Sequence, residues 1–337
     1  MIDGLFDIDN RLNKLSKTGD PLLQLSEIVP WEEFRSTLEA LREKERKSNA
    51  GRKPFDVILM FKILVLQSLY NLSDDAMEYQ INDRLSFMRF LKLSLGAKVP
   101  DSKTIWHFRN ELSDTELTKV LFDQFDNYLQ EHGFSAKKGQ IVDASIVKVP
   151  IQRNSKDENK EIKLGIKPSG WSTNKTRQKD LDARWTKKNN KSYYGYKNHI
   201  QVDVKYKFIR NYKTTEASLH DSHVFEELLA ENNSSRAVWA DSAYRSKESL
   251  QNLSDLNFRA HLQRKGYKNK KLSKWEQQGN KTRSKTRSRV EHIFGIQTMM
   301  ARGNLILRSI GSLRAKTAIG MRNLAYNMHR FSSLLSS

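Results

Sequence analysis

The sequence of 337 residues contains no cysteine and no long hydrophobic run. Without cysteine there can be no disulfide framework, no Cys-ligated zinc or iron–sulfur centre and no thiol nucleophile. The longest apolar stretch, residues 57–70, is interrupted by Lys62 and Gln67 and is too short to span a bilayer. A signal peptide and a glycine-rich phosphate loop are also missing, so nothing indicates secretion or use of ATP. We therefore expect a soluble intracellular protein.

Acidic residues are scarce in the second half of the chain. The whole sequence carries 59 Lys and Arg against 39 Asp and Glu, a net charge of +20. Residues 1–150 hold 21 basic and 23 acidic residues and residues 151–337 hold 38 and 16, so the net charges are −2 and +22. The basic segments 151–197 and 264–290 are interleaved with Trp and Tyr, which suits phosphate contact and base stacking better than a basic tail. The composition therefore predicts a nucleic-acid partner.

The first 135 residues are predicted to form a domain of short, closely linked helices. Pro54 fits the first turn of a helix, and Ser73 and Asp101 are of the types that cap free backbone amides. Such a domain could contain a helix-turn-helix that reads DNA, or it could serve in packing or dimerisation. The local charge of −2 favours neither interpretation, so both stay open.

After Gly133 the sequence changes to short β-rich segments separated by helices. Strands are predicted over residues 140–149, 194–204, 207–215, 237–241 and 258–262, and the final helices over 282–300 and 309–335. Residues 152–190 are polar and weakly patterned, which predicts a loop or a partly disordered insert. The order strand, hairpin, helix, strand, helix, strand, helix predicts an α/β domain with a ribonuclease H-like mixed sheet flanked by helices. We place the domain boundaries at 1–135, 136–310 and 311–337, the last being a C-terminal helix packed on the catalytic domain.

Three acidic residues are candidates for a metal site. Asp143 lies inside a predicted strand, where a charge is costly unless it is paired or bound to a metal. Asp241 ends another strand, and Glu291 lies near the middle of a predicted helix after a strongly basic stretch. Each has an ordinary alternative: a strand-end Asp facing water, a turn or N-cap Asp, and an i,i−4 ion pair between Glu291 and Arg287. Together they would supply the oxygen ligands that two Mg²⁺ ions need for an in-line attack on a phosphodiester.

Seven segments together resemble insertion-sequence transposases of the acidic-triad (DDE) type. They are residues 51–54 (GRKP), 72–74 (LSD), 100–109 (PDSKTIWHFR), 141–145 (IVDAS), 194–199 (YGYKNH), 240–244 (ADSAY) and 287–295 (RSRVEHIFG). The chain is most similar to the insertion sequence 5 family within the wider insertion sequence 4-like group. The resemblance covers nearly the whole chain.

This resemblance implies a function and its site residues. Asp143, Asp241 and Glu291 match the catalytic, metal-holding triad, with two Mg²⁺ ions that Mn²⁺ can replace. The implied activity is phosphodiester hydrolysis at terminal inverted repeats and transfer of the 3′-hydroxyl ends to target DNA. The implied partners are double-stranded DNA and further copies of the chain, as a homodimer or higher oligomer paired on DNA, in the bacterial cytoplasm at the nucleoid.

The motif around Glu291 departs from the wider group. Arg287 matches an Arg expected four residues before the Glu, whereas Ser284 and Thr298 stand where a Tyr and a Lys are expected. We therefore assign no phosphate contact to Ser284 or Thr298. The DNA-binding candidates are Arg287, Arg289, Lys197, His199, Lys285, Arg283 and Arg109. For Lys197 and His199, which would share one face of a strand, the alternative is a solvated hairpin face.

Two other functions fit the same sequence. One is a catalytically silent transposase relative that only binds DNA, and the other is a ribonuclease H-like nuclease without strand transfer. The complete acidic triad argues against the first. The second differs from a transposase in that it would not join the cut ends to target DNA.

Overall fold

The computed structural model describes residues 6–42, 53–267, 270–303 and 305–336. The first part of the chain is helical, as predicted. Its helices are α1 (Asp7–Lys17), α2 (Pro21–Ile28), α3 (Arg35–Glu39), α4 (Val57–Tyr70), α5 (Asp74–Asp83), α6 (Leu85–Leu91), α7 (Ser102–Asp114) and α8 (Leu117–Glu131), with 3-10 turns at Trp31–Phe34 and Ala40–Arg42. Two residues of the GRKP motif, Gly51 and Arg52, lie outside the described residues.

Side-chain caps explain where these helices begin. Ser73 accepts a hydrogen bond from the Ala76 amide at the start of α5, and Asp101 accepts one from the Thr104 amide at the start of α7, as predicted. The prediction for Pro54 was wrong, because α4 begins three residues later and is capped by Asp56. Within the described ranges, no single helix is long and apolar enough to cross a membrane, although α4 and α5, bent by 102° at their junction, reach that length and composition together.

The second part combines a six-stranded sheet with helices. Its strands are β1 (Gln140–Lys148), β2 (Arg184–Lys188), β3 (Lys191–Asp203), β4 (Ile209–Glu216), β5 (Ala237–Ala240) and β6 (Arg259–Leu262). Its helices are α9 (Lys156–Lys163), α10 (Thr173–Arg177), α11 (Phe225–Leu228), α12 (Lys247–Asp255), α13 (Lys274–Arg287), α14 (Arg289–Met300) and α15 (Ser312–Leu335), with 3-10 turns at Asp221–Val224 and Ser242–Tyr244.

The sheet has the mixed topology that a ribonuclease H-like fold requires. β1 lies between β3, which is antiparallel to it, and β5, which is parallel to it. β4 pairs antiparallel with β3, and β6 pairs parallel with β5 on the other side. The predicted hairpin of β3 and β4 is confirmed, and the carboxyl ends of β1 and β5 point the same way, where ligands gather in α/β sheets.

The polar insert is more ordered than the sequence predicted. Residues 152–190 contain α9, α10 and β2, and β2 extends the sheet by pairing with the start of β3. A capping box of Ser155 and Glu158 begins α9. Trp171 is buried and donates to Glu158 over 2.6 Å. The prediction of a loop was wrong because one Trp and a cap organise a segment with little apolar periodicity.

Helix α15 joins the two parts of the chain. It packs on α4, α7 and α8 of the helical part as well as on β4. One hydrophobic core consequently runs from Leu38 and Phe61 through Ile141 and Ile200 to Tyr326. The C-terminal helix therefore packs on the helical region too, and not on the sheet domain alone as the sequence suggested.

Candidate active site

Asp143 occupies the middle of the sheet on a buried strand. It pairs with Ile200 of β3, and side chains alternate along a strand, so Asp143 shares its face with Ile141 and Ile200. Its side chain is 13% exposed, so it does not face bulk water as a strand-end Asp would. Its Oδ1 accepts a hydrogen bond from the Ala144 amide over 2.8 Å, which leaves Oδ2 available for a cation.

Asp241 is level with Asp143 on the neighbouring strand. β1 and β5 are paired with Gln140 opposite Val238 and Ile141 opposite Trp239, and this register carried two residues further places Asp143 beside Asp241. Parallel strands are about 4.8 Å apart. Asp241 also caps the 3-10 turn that follows it, because Oδ1 accepts from the Ala243 amide over 2.7 Å. The turn interpretation of Asp241 is therefore confirmed, and its place in a metal site stays a prediction.

Glu291 lies in the first turn of α14 and not in the middle of one long helix. The prediction of one helix over 282–300 was wrong in its start and in its continuity. The helical segment begins at Lys274, and it divides at Ser288 into α13 and α14. This break places Glu291 in the first turn of α14, where the positive end of the helix dipole favours its charge. The Glu291 side chain remains 58% exposed.

Arg287 connects two of the acids. Its guanidinium donates through Nη1 to Asp143 Oδ2 over 2.8 Å and through Nη2 to Glu291 Oε1 over 2.6 Å. The ion pair with Glu291 that the sequence suggested as an ordinary alternative is therefore present, and it extends to Asp143. The Nε of Arg287 is buried without a hydrogen-bond partner in the described part of the chain.

The electrostatics of Asp143 favour a bound cation. Burial raises the pKa of Asp143 to about 6, and the negative charge of Asp241 adds to that rise, while the Ala144 amide and Arg287 oppose it. Tyr244 lies close to these acids. It is 1% exposed, and its hydroxyl has no hydrogen-bond partner among the described residues. Burial, with the charges of Asp143, Asp221 and Asp241, raises the pKa of Tyr244. Sequence reasoning did not identify Tyr244 as a buried neighbour of these acids, although the ADSAY motif ends on it.

The donor set fits a hard divalent cation, although its members are not yet gathered around one point. Within the described ranges, no group of three or more His, Asp or Glu side chains is arranged for a metal ion. Arg287 stands between Asp143 and Glu291 instead, and supplies the positive charge that the acids attract. Carboxylate oxygens are the ligands that Mg²⁺ prefers. Asp143, Asp241 and Glu291 could therefore hold such an ion if Arg287 moved aside.

A buried amide network, which sequence reasoning also missed, positions α14 on the sheet. Asn198 of β3 and Asn323 of α15 exchange two hydrogen bonds of 2.9 and 3.0 Å, and Gln297 of α14 donates to Asn323 over 3.0 Å. All three side chains are buried. Because Gln297 lies on the same helix as Glu291, the network fixes the helix that carries the third acid. Asn323 between the apolar residues Met321 and Leu324 of α15 was the available signal.

Lys197 and His199 lie on the opposite face of the sheet from Asp143. Lys197 Nζ pairs with Asp221 at 2.8 Å, and His199 is fully buried with Nε2 2.9 Å from Thr215 Oγ1. Burial lowers the pKa of His199 to about 4, so the ring is neutral. The expectation of a solvated hairpin face was wrong, and their polar atoms also point inward, so we do not assign them a DNA contact.

The remaining basic candidates differ in what already holds them. Arg109 forms a two-pronged ion pair with Asp74 at 2.5 and 2.6 Å, which neutralises its charge within the helical region. Arg289 donates to the Val204 carbonyl over 2.7 Å. Lys285 is exposed, and neither it nor the half-buried Arg283 has an acidic partner in the described part of the chain. Of the seven candidates, Arg283 and Lys285, both on α13, have neither an acidic partner nor a bond to a backbone carbonyl among the described residues.

Two family models and one solved structure are similar to this chain. Residues 10–111 match a family described as "Transposase domain (DUF772)", and residues 134–328 match the family "Transposase DDE domain". Among solved structures, the chain is similar to a piggyBac transposase determined by cryo-EM in a synaptic complex with hairpin DNA. The two share 13% identity with a TM-score of 0.47, over 94% of this chain and 75% of the other.

The family match also supports the expectation about metal ions. DDE transposases generally use divalent metal ions, which agrees with the carboxylate donors described above. The matched segment contains Asp143, Asp241 and Glu291 and covers more than half of the sequence. The chain therefore belongs to the DDE transposase family.

Proposed function

We propose that this transposase cuts phosphodiester bonds at the terminal inverted repeats of its own element and joins the freed 3′-hydroxyls to target DNA. Asp143, Asp241 and Glu291 are the proposed ligands of two Mg²⁺ ions, which Mn²⁺ can replace. On the strength of its motifs we place the chain in the insertion sequence 5 family, acting as a dimer or higher oligomer on DNA at the bacterial nucleoid. The observation that carries this proposal is the side-by-side position of Asp143 and Asp241 on adjacent strands, together with one guanidinium, Arg287, that bonds to both Asp143 and Glu291.

The chemistry divides between the ions and the residues of the chain. When bound, the ions would activate a water or a 3′-hydroxyl and stabilise the leaving oxygen. Asp143 and Asp241 would hold them from two adjacent strands, and Glu291 would close the site from α14. Arg287 would leave its two carboxylates and turn to a phosphate, for which its planar guanidinium is well suited.

The test is a cleavage and strand-transfer assay on a duplex that carries one terminal repeat. Asp143→Asn, Asp241→Asn and Glu291→Gln, made one at a time, should abolish Mg²⁺-dependent cleavage while leaving DNA binding near the wild-type level. Asp123→Asn, at an exposed acid of α8, is the matched control and should be fully active. Full activity in any triad variant would remove that residue from the site.

Two further outcomes would replace the proposal. Binding without cleavage by the wild-type protein, in either Mg²⁺ or Mn²⁺, would support a silent DNA-binding relative. Cleavage of intact ends without joining of pre-cut ends would support a nuclease that lacks strand transfer.

A further inference from the structure

Helix α13 is unusual because it is polar on every side. Its 14 residues include no buried side chain, and they carry five basic residues against one acid, Glu276. Isolated helices of this length are marginal in water, and most protein helices are stabilised by burying an apolar face. The polar character of α13 therefore needs another explanation than packing.

Polar contacts on one side hold α13 to the segment that follows β6. Arg264 pairs with Glu276 at 2.8 Å, and its backbone amide and carbonyl both bond to the Asn280 side chain. Gln263 donates to Ser284 over 2.6 Å. At the C-terminal end Arg287 bonds to Asp143. The helix is thus fixed along its inner side and reaches the acidic site with its last turn.

The outer side of α13 carries an uncompensated positive stripe. Lys274, Gln278, Lys281 and Lys285 are exposed and follow one another at intervals of four, three and four residues, which places them on one face. In the described ranges no hydrogen bond or ion pair holds any of these four side chains. The only acid of the helix, Glu276, is on the inner side and is already paired. We call these four residues the outer stripe.

An exposed aromatic residue stands beside the outer stripe. Trp275 is 72% exposed, and the Arg264 guanidinium lies 5.3 Å from its ring centroid. A Trp this exposed gains little from folding, since most of its apolar area stays in water. Cationic surfaces with exposed aromatic rings are typical of nucleic-acid binding.

The length of the outer stripe corresponds to several base pairs of a DNA duplex. From Lys274 to Lys285 the helix advances eleven residues, about 16 Å at 1.5 Å per residue. Base pairs are stacked about 3.4 Å apart, so the stripe spans roughly five base pairs. An α-helix fits the major groove, where a glutamine side chain can bond to the edge of adenine.

We propose that α13 lies in the major groove of the DNA next to the cleavage point and reads the transposon end. Lys274, Lys281 and Lys285 bind backbone phosphates, and Gln278 contacts a base edge. This inference rests on the proposed function, because it takes the DNA that the acidic site cuts to be the DNA that α13 holds. An acidic protein would fit the outer stripe only if its acids were spaced along a line in the same way. A DNA duplex carries negative charges at such regular spacing by its nature.

The test measures binding of the full-length protein to a duplex of its terminal repeat and to a scrambled duplex, between about 50 and 200 mM salt. The triple variant Lys274→Gln, Lys281→Gln, Lys285→Gln should weaken binding to both duplexes and reduce the slope of log affinity against log salt by about 3. Gln278→Ala should lower the preference for the terminal repeat about tenfold with little change in the salt slope. Because none of these side chains is buried, the variants should keep the wild-type circular dichroism spectrum.

The matched control replaces three exposed lysines of the helical region, Lys14→Gln, Lys17→Gln and Lys98→Gln, with the same change in net charge. A salt slope that falls equally in both triple variants would overturn the duplex contact, and an unchanged sequence preference in Gln278→Ala would overturn the reading role. The triad variants separate this inference from the proposed function. If Asp143→Asn abolishes cleavage while the outer-stripe variants bind as wild type does, the active site stands and the role of α13 fails.

Discussion

Arg287 donates a hydrogen bond of 2.8 Å to Asp143, and the same guanidinium holds Glu291 at 2.6 Å. A resident cation therefore occupies the space between two acids of the candidate metal site. Removal of one positive charge about 4 Å from a cation site changes the binding free energy by about 1 to 4 kcal/mol. We predict that Arg287→Gln binds Mn²⁺ at least about fivefold more tightly than wild type in the absence of DNA.

Calorimetric titration of Mn²⁺ checks this prediction, with Arg287→Lys as the control that keeps the charge and should stay close to wild type. Equal or weaker Mn²⁺ binding by Arg287→Gln would mean that Arg287 does not compete with the metal. The same variant should cleave DNA more slowly, since it lacks the proposed phosphate contact.

Lys62 provides a pH-dependent test of stability. Lys62 is 4% exposed in the core of the helical region, where Nζ bonds to Ser26 and to the Phe90 carbonyl and has no acidic partner among the residues that the structure describes. Burial lowers the pKa of Lys62 to about 8, against 10.5 for an ordinary lysine. Between these values the unfolded chain binds more protons, so stability should rise as pH increases from about 8 to 10.5.

Lys62→Met should remove this dependence and stabilise the protein at about pH 7 by roughly 1 to 3 kcal/mol. Urea denaturation at about pH 7 and pH 10 measures both effects. A variant that is less stable than wild type at neutral pH would show that the hydrogen bonds of Lys62 outweigh its burial cost.

A buried ion-pair network links the helical region to the sheet. Arg210 of β4 bonds to Asp126 of α8 at 2.7 Å, to Asp203 at 3.1 Å and to the carbonyl of Phe134. Removing one partner of a buried pair leaves an uncompensated charge, which costs about 3 to 5 kcal/mol. We predict a loss near the lower end of this range in Asp126→Ala, because Asp203 still pairs with Arg210. Asp123→Ala, on the exposed side of the same helix, should cost less than about 1 kcal/mol. Chemical denaturation compares the two, and similar losses would contradict the network.

Gly195 of the YGYKNH motif is predicted to tolerate no side chain. Its φ is +150°, and a Cβ there would lie 2.2 Å from the carbonyl oxygen of Val147 on β1. The strand that holds Asn198 would have to shift, so Gly195→Ala should destabilise the protein by more than about 2 kcal/mol. Gly96→Ala is the control, because nothing lies within 4 Å of its Cβ position. Thermal unfolding of the two variants distinguishes them, and equal melting temperatures would refute the close approach.

Local signals in the sequence predicted individual strands and helix starts better than they predicted the packing between distant segments. A run rich in Ile and Val predicted β1, alternating residues predicted β3 and β4, and Ser73 and Asp101 were correctly identified as caps. These features depend on neighbours in the chain. The insert 152–190 was missed because its order comes from Trp171 and a capping box and not from periodicity.

The candidate site residues can be named from the sequence, but the contacts between them cannot. The charge of Asp143 inside an apolar strand, and the position of Asp241 at a strand end, are visible in the sequence. The contact of Arg287 with Asp143 joins residues 144 positions apart, and nothing local indicates it. The break at Ser288, which ends α13 and begins α14 just before Glu291, is likewise unmarked by proline or glycine. His199 is buried because of the face of the sheet on which it lies. Which face α11 and α12 cover is decided by the folded chain and is not visible in the local sequence.

The central claim is that Asp143, Asp241 and Glu291 hold metal ions at one place. The most direct test is Fe²⁺-promoted hydroxyl-radical cleavage of the polypeptide in the presence of terminal-repeat DNA, since cuts occur only near a bound ion. The account predicts cuts beside all three residues, suppressed by excess Mg²⁺ and absent in Asp143→Asn. Cuts beside only one of the three, or an unchanged pattern in Asp143→Asn, would contradict it.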